Sequence, residues 1–200
     1  MSVKYTLVGV MLGAALMSPA FSQEGPFANK SDVTVQALGS FVKSTTANGI
    51  DQNATNSGGV LASYRYFFNN HHGVEVNYAY ALNTQSYGLG GGPLGLKTNS
   101  HEVSAAYVLR FPQRRWTPFV LAGAGGLIFD PKDFVGASSQ ARAAFVYGGG
   151  ADINLSKHIF MRAEYRGFVY NSPTYDLPGL NGVDRTTHRA EPSVGFGYRF

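Results

Sequence analysis

The chain has 200 residues, a formal net charge of +4 and only 14% charged residues, together with 25 Gly, 14 Phe and 12 Tyr. It contains no Cys, which excludes a disulfide framework, a thiol nucleophile and a zinc site with thiolate ligands. The basic residues form no stripe of the kind that contacts nucleic acid, so a nucleic-acid partner is not expected.

The N-terminal residues predict a secretory signal. Lys4 precedes an apolar stretch over residues 5–16, and the small residues Ala20 and Ser22 then precede a polar segment. An N-terminal membrane anchor is the alternative, but a helix needs roughly 20 apolar residues to span a bilayer, and this stretch is shorter. We therefore expect a signal peptide over residues 1–22, a short N-terminal periplasmic segment over residues 23–31, and one domain over residues 32–200.

Alternating apolar and polar residues follow, in segments of about ten residues, the length of tilted membrane-spanning strands. The third segment alternates most cleanly, with Val74, Val76 and Tyr78 on one face and Glu75 and Asn77 on the other. The fifth is apolar on both faces, so its inward face is not assigned. The segments are residues 33–41, 60–68, 74–83, 102–111, 116–129, 142–155, 159–169 and 189–200.

The connections between these segments alternate in length. Residues 69–73, 112–115 and 156–158 are short, whereas residues 44–56, 84–99, 130–141 and 171–187 are long and rich in Gly, Ser, Thr, Asn and Pro. This rhythm is typical of outer membrane barrels. The sequence thus predicts an all-β fold: a closed antiparallel transmembrane β-barrel of about eight strands, with short periplasmic turns and four long extracellular loops.

Three motifs carry a family resemblance: TPFVLAGAG at residues 117–125, AEYR at 163–166 and VGFGYRF at 194–200. They resemble the eight-stranded outer membrane barrels of the OmpA and opacity-protein superfamily. The resemblance implies a location in the bacterial outer membrane, among lipid and lipopolysaccharide. It also implies that the barrel assembly machinery recognises Phe196, Tyr198 and Phe200. Many relatives carry a periplasmic peptidoglycan-binding domain after the barrel; this chain ends at the barrel, so tethering to the cell wall is not expected.

Charged residues of both signs lie on the predicted inward faces. An isolated charge in a narrow barrel would cost several kcal/mol, so these residues must be paired or hydrated. The turn at residues 69–72 places Arg65 opposite Glu75, a natural ion pair. The predicted lumen network consists of Arg65, Glu75, Glu102, Arg110, Asp152, Arg162, Glu164, Arg166, Glu191 and Arg199. Because the interior of an eight-stranded barrel is just wide enough for side chains, a salt-bridged plug is favoured over a gated pore.

The loops favour a structural or surface-display function, in adhesion or membrane integrity, with a host, phage or surface ligand at the loops. Three of the four long segments carry a slight acidic excess. The main alternative is a small-solute, porin-like channel. A soluble ligand-binding barrel is disfavoured, because its outward Tyr, Val and Phe rows would form large exposed apolar patches.

An enzyme that modifies lipid A or phospholipid is the weaker alternative. Its candidate residues would be His101, Glu102 and Ser104, or His188, Glu191 and Ser193. Strand parity places each His on the lipid side and its acid inside, so neither set converges easily. The adjacent His71 and His72 diverge on a strand and do not predict a metal site. No enzymatic activity, metal or cofactor is therefore expected.

Overall fold

A computed structural model describes residues 30–42, 45–47, 50–54, 57–89, 92–131, 140–171 and 186–200. The predicted signal peptide and residues 23–29 lie outside this described part of the chain. The strands are β1 (Ser31–Val42), β2 (Thr45–Ala47), β3 (Ile50–Ala54), β4 (Ser57–Phe67), β5 (His72–Leu89), β6 (Gly92–Arg110), β7 (Trp116–Pro131), β8 (Gln140–Asn154), β9 (Ile159–Asn171) and β10 (Thr186–Arg199). No helix long and apolar enough to cross a membrane occurs among the described residues.

Eight of the strands form a closed antiparallel barrel. The order around the wall is β1, β4, β5, β6, β7, β8, β9 and β10, and β10 pairs with β1 to close the cylinder. At this seam the Ser31 backbone N–H donates to the Phe200 carbonyl at 3.1 Å, and the Phe200 N–H donates to the Ser31 carbonyl at 2.9 Å. The predicted fold class is therefore confirmed.

One end of the barrel carries the short connections. The turns over residues 68–71, 111–115 and 155–158 lie there, as do Lys30 and Phe200. We call it the turn end and the opposite end the loop end. In the first turn the Asn69 side-chain oxygen accepts the backbone N–H groups of His71, at 2.9 Å, and His72, at 2.8 Å. This Asx-type turn fixes the register of β4 against β5.

The second long connection differs from the sequence prediction. Residues 84–99 were predicted as a loop from their composition, yet β5 and β6 continue through most of them, and their pairing extends to Leu89 opposite Gly92. The short strand β3 adds to the edge of this extension, with Asp51 opposite Gly88. Ladder hydrogen bonds use backbone groups, so composition alone is a weak guide to where a hairpin ends.

Outward and inward residues alternate along the wall. The outward face exposes large apolar side chains; for example, Val35 is 63% exposed and Phe196 is 62% exposed. On β7 the outward residues include Trp116, Val120 and Ile128. The buried inward residues of β7 are Thr117, Phe119, Leu121, Leu127 and Phe129. This assigns the parity that the sequence left open.

Candidate functional site

Nine charged side chains form a chain of alternating sign through the lumen, which we call the ion-pair chain. In order from the turn end it runs Arg199, Asp152, Arg162, Glu75, Arg65, Glu164, Arg166, Glu191 and Arg189. Two carboxylates branch from it: Asp32 lies 3.2 Å from Arg162, and Glu102 lies 2.6 Å from Arg166.

Strand register explains several links of the ion-pair chain. Arg65 lies directly opposite Glu75, Asp152 opposite Arg162, and Glu191 opposite Arg166. Opposite residues on neighbouring strands project to the same face, so each such pair meets inside the barrel. The distances are 2.6 Å for Arg162 to Asp152 and 2.9 Å for Arg166 to Glu191.

Other links cross the lumen between strands that are not neighbours. Arg65 on β4 lies 3.3 Å from Glu164 on β9. Arg162 on β9 lies 3.8 Å from Glu75 on β5. The contact between Arg166 and Glu164, also 3.8 Å, joins two residues of β9 that are two positions apart. Together these contacts join the strand pairs into one network.

The ion-pair chain is almost fully shielded from solvent. All of its side chains are at most 3% exposed except Arg199, which is 14% exposed. Arg65, Arg162 and Arg166 each lie over an aromatic ring, as Arg65 does over Phe119 at 3.9 Å. Stacking of this kind adds a favourable cation–π contact and holds the planar guanidinium in place.

The length of the ion-pair chain matches the apolar band of a membrane barrel. Arg189 and Arg199 are both on β10, ten residues apart, which is about 33 Å along a strand at about 3.3 Å per residue. A tilt of about 40° reduces this to about 25 Å along the barrel axis, the usual height of the lipid-facing band. Buried charge therefore extends across the whole band.

Apolar clusters fill part of the remaining interior, next to buried polar side chains such as Gln36 and Asn77. A cluster of inward residues from β4, β6, β7, β8 and β9 packs together, including Phe67, Phe119, Leu127, Val146 and Phe168. A smaller cluster on β1, β4 and β5 contains Leu38, Leu61, Ala79 and Ala81. The sequence did not predict these clusters, because apolar residues that face the lumen look the same as those that face lipid.

The structure brings together nine of the ten residues assigned to the lumen network. The exception is Arg110: within the described residues, no carboxylate lies within 4.0 Å of its guanidinium. Two residues outside the predicted set join instead, Asp32 at the start of β1 and Arg189 on β10. The alternation of the first segment begins at Val33 and so does not include Asp32, although Asp32 shares the inward parity of Thr34.

The two candidate catalytic sets do not converge. His101 shares a hydrogen bond with the outward Tyr78 at 2.9 Å, whereas Glu102 binds Arg166 inside. Likewise His188 contacts Tyr147 at 2.7 Å, while Glu191 is held by Arg166.

The two serines lie on the inward face, away from the histidine of their set, and only Ser104 contacts the acid of its own set. Ser193 donates to Gln36 at 3.2 Å and Ser104 to Glu102 at 3.1 Å. His71 and His72 diverge, because His71 contacts the Arg110 carbonyl and His72 contacts Tyr107.

The three aromatic residues assigned to assembly lie on the outward face of β10 or just after it. Phe196, Tyr198 and Phe200 are 62%, 49% and 41% exposed. The Tyr198 ring stacks on His158, with centroids 5.6 Å apart, and on Phe200 at 6.3 Å. They form an aromatic row that is accessible from outside the barrel.

Residues 8–200 match the family described as "Outer membrane protein beta-barrel domain". The chain is 30% identical over 83 residues to the 25 kDa outer-membrane immunogenic protein of Brucella canis, a match that covers 42% of this chain and 38% of that protein. The match thus spans well under half the length of that relative.

Two solved structures share the fold. The outer membrane protein OprG of Pseudomonas aeruginosa aligns with a TM-score of 0.61 at 17% identity, over 86% of this chain and 96% of that one. The attachment invasion locus protein Ail of Yersinia pestis, solved with the heparin analogue sucrose octasulfate, aligns with a TM-score of 0.56 at 22% identity, over 87% of this chain and all of that one (100%). At such identities the likeness concerns the fold alone.

Proposed function

This chain belongs to the outer membrane protein β-barrel family, and from that premise we propose that it is a non-conducting barrel with a structural and surface-display function. Its location is the bacterial outer membrane. The display function would lie in adhesion or in membrane integrity, with the elements at the loop end as the contacting surface.

The observation that carries the proposal is the continuous ion-pair chain, together with the apolar clusters beside it. An eight-stranded barrel has an interior that side chains can fill. Here Arg65, Arg162 and Arg166 are each at most 1% exposed, so they are packed and not lining a water-filled passage. Such an interior supports a plug better than a channel.

The loop end supports surface display. The paired extension of β5 and β6 continues beyond the last β4 residue that pairs with β5, Gly59 opposite Ala81. Ail was solved with a sulfated, polyanionic sugar analogue. This chain has an acidic excess in three of its four long segments, which would repel a polyanion. A partner with a neutral or basic surface fits this charge better.

Planar-bilayer recording tests the plug. We expect the mature protein, refolded and shown to be folded by a heat-dependent shift in gel mobility, to give no discrete openings. Reproducible single-channel openings would contradict the proposal and favour the small-solute channel. Glu75→Ala is the companion variant, because Glu75 links Arg65 to Arg162; openings that appear only in this variant would show that the pair closes a latent path.

Loop replacement separates adhesion from membrane integrity. In a deletion strain, a barrel whose segments 132–139 and 173–184 are replaced by Gly-Ser linkers of equal length should still restore detergent resistance if the function is membrane integrity. It should fail to restore surface attachment if the function is adhesion. A deletion strain with neither defect would contradict both.

Catalysis has a direct test as well. We propose that the protein does not modify lipid, since both candidate sets are divided between the two faces of the wall. The lipid A mass profile and the phospholipid profile of the deletion strain should therefore equal those of the parent. A mass difference that the wild-type gene reverses would instead establish an enzyme.

A further inference from the structure

A cavity of about 380 Å³ opens at the turn end, inside the mouth of the barrel. Its lining includes two arginines, Arg110 and Arg199, together with Asn70, Gln113, Thr117 and Asn154, and it includes no carboxylate. Two buried acids lie beside this lining but are not part of it: Asp152 is opposite Thr117 on the neighbouring strand and 3.4 Å from Arg199, and Asp32 is opposite Arg199. The cavity is therefore polar and cationic, in an interior where other arginines face carboxylates.

Arg110 is the distinctive residue of this cavity. Its guanidinium lies over the Phe67 ring, 3.5 Å from the centroid, and its Nε donates to the Asn70 carbonyl at 2.9 Å. These two contacts fix the plane of the group. Its two terminal nitrogens make no hydrogen bond to any described residue. Their N–H groups can therefore donate to an oxyanion in a bidentate manner.

Arg199 supplies a second cation whose own partners are weak. Its terminal nitrogens lie 3.2 Å from the Asn154 side-chain oxygen and 3.4 Å from Asp152. At 14% exposure its side chain is still reached by solvent. The amides of Asn70 and Gln113 and the hydroxyl of Thr117 add neutral groups that can donate to an oxygen ligand.

We propose that this cavity binds a small oxyanion, a phosphate or carboxylate group, with Arg110 as its main contact. The volume lies within the range of small-molecule sites, roughly 300–1,000 Å³, so the group can belong to a small polar solute. A bound anion would reduce the electrostatic repulsion between Arg110 and Arg199. It would also accept hydrogen bonds from the terminal N–H groups of Arg110. This inference is independent of whether the barrel conducts.

The test is isothermal titration of the refolded mature protein with inorganic phosphate, at ionic strength held constant with chloride. We expect saturable binding, weakened about tenfold or more in Arg110→Gln, because a charge-assisted hydrogen-bonded contact is worth roughly 1.5–3 kcal/mol. Arg115→Gln is the matched control: it removes the same charge from an exposed position in the adjacent turn, outside the lining. It should bind as the wild type does.

Three outcomes would overturn the proposal: no saturation in the wild type, equal weakening in both variants, or unchanged binding in Arg110→Gln. The heat-dependent gel shift verifies that each variant is folded. Titration in nanodiscs identifies the source of the anion. If phosphate binds more weakly in phosphatidylglycerol nanodiscs than in phosphatidylcholine nanodiscs, the lipid headgroup competes for the site and is its ligand. If phosphate binds equally in both, the ligand is a soluble anion.

Discussion

At the scale of single residues, the sequence predicted pairs that depend on one turn and missed contacts that depend on the whole barrel. Arg65 and Glu75 flank a short turn, so their opposition can be counted directly along the chain. The contact between Arg65 and Glu164 crosses the lumen between β4 and β9. It depends on the tilt and stagger of all the strands, which no local pattern contains.

Replacing one member of a buried ion pair should lower the free energy of unfolding more than replacing both members. Glu75→Met leaves Arg65 and Arg162 facing each other with one carboxylate fewer, and we expect it to lower the free energy of unfolding by about 3–5 kcal/mol. In Arg65→Met/Glu75→Met, the remaining Arg162 keeps Asp32 and Asp152. The double variant should therefore be the more stable of the two in urea unfolding in lipid vesicles. A double variant whose free energy of unfolding is equal to or lower than that of Glu75→Met would contradict this account.

At the scale of elements, β7 shows why hydrophobic alternation located the strand but not its inward face. The inward residues Phe119, Leu121 and Leu127 pack in the apolar cluster, while Val120 and Ile128 face outward. Lipid and a packed interior both favour apolar side chains, so the pattern of period two disappears. Strands that carry part of the ion-pair chain, such as β9, keep the pattern because one face must bury charge.

Gly123 should be required for the contact between β6 and β7. A Cβ at this position would overlap the backbone of Ala105 and Ala106, whereas a Cβ at Gly126 on the same strand would meet nothing within 4 Å. We expect Gly123→Ala to destabilise the barrel by roughly 1–3 kcal/mol. Gly126→Ala should change the stability by less than about 0.5 kcal/mol. If urea unfolding showed a similar loss of stability in both variants, the close approach of β6 to β7 would not explain the glycine at position 123.

The terminal aromatic row should act in assembly and not in stability. Phe200→Ala should reduce the amount of protein found in the outer membrane if the assembly machinery recognises the exposed row of Phe196, Tyr198 and Phe200, as we propose. Phe111→Ala, which removes an equally exposed aromatic at the same end, is the control and should assemble normally. Refolding of both variants into detergent should match the wild type. If both variants assembled equally well in cells, the assignment of an assembly signal would fail.

At the scale of the whole molecule, the single tryptophan reports how the barrel sits in the bilayer. Trp116 begins β7 at the turn end and is 48% exposed on the outward face. Aromatic residues at strand ends lie at the level of the lipid headgroups. Lipids brominated near the headgroup should therefore quench its fluorescence more than lipids brominated near the chain terminus. Stronger quenching by bromines near the chain terminus would place Trp116 inside the hydrocarbon core and contradict its position at the headgroup level.

The fold class and the location in the outer membrane could be predicted from the whole sequence, because alternation, strand length and connection length are repeated many times along it. The turn-end cavity could not. Arg110 has the same residue type and inward parity as Arg162, yet it lies over Phe67, and no carboxylate in the described part of the chain is within 4.0 Å of its guanidinium. Only the three-dimensional arrangement at the mouth distinguishes a paired arginine from one with free donors.

The pairing of β1 with β10 constrains the order in which the strands can pair during folding. Ser31 and Phe200 exchange two backbone hydrogen bonds, so β1 acquires its second neighbour only when β10 has been delivered. Until then both edges of the growing sheet are open to any other strand, and pairing over such sequence distances is slow. The open edges of an unfinished chain would therefore be sites of aggregation until β10 pairs with β1.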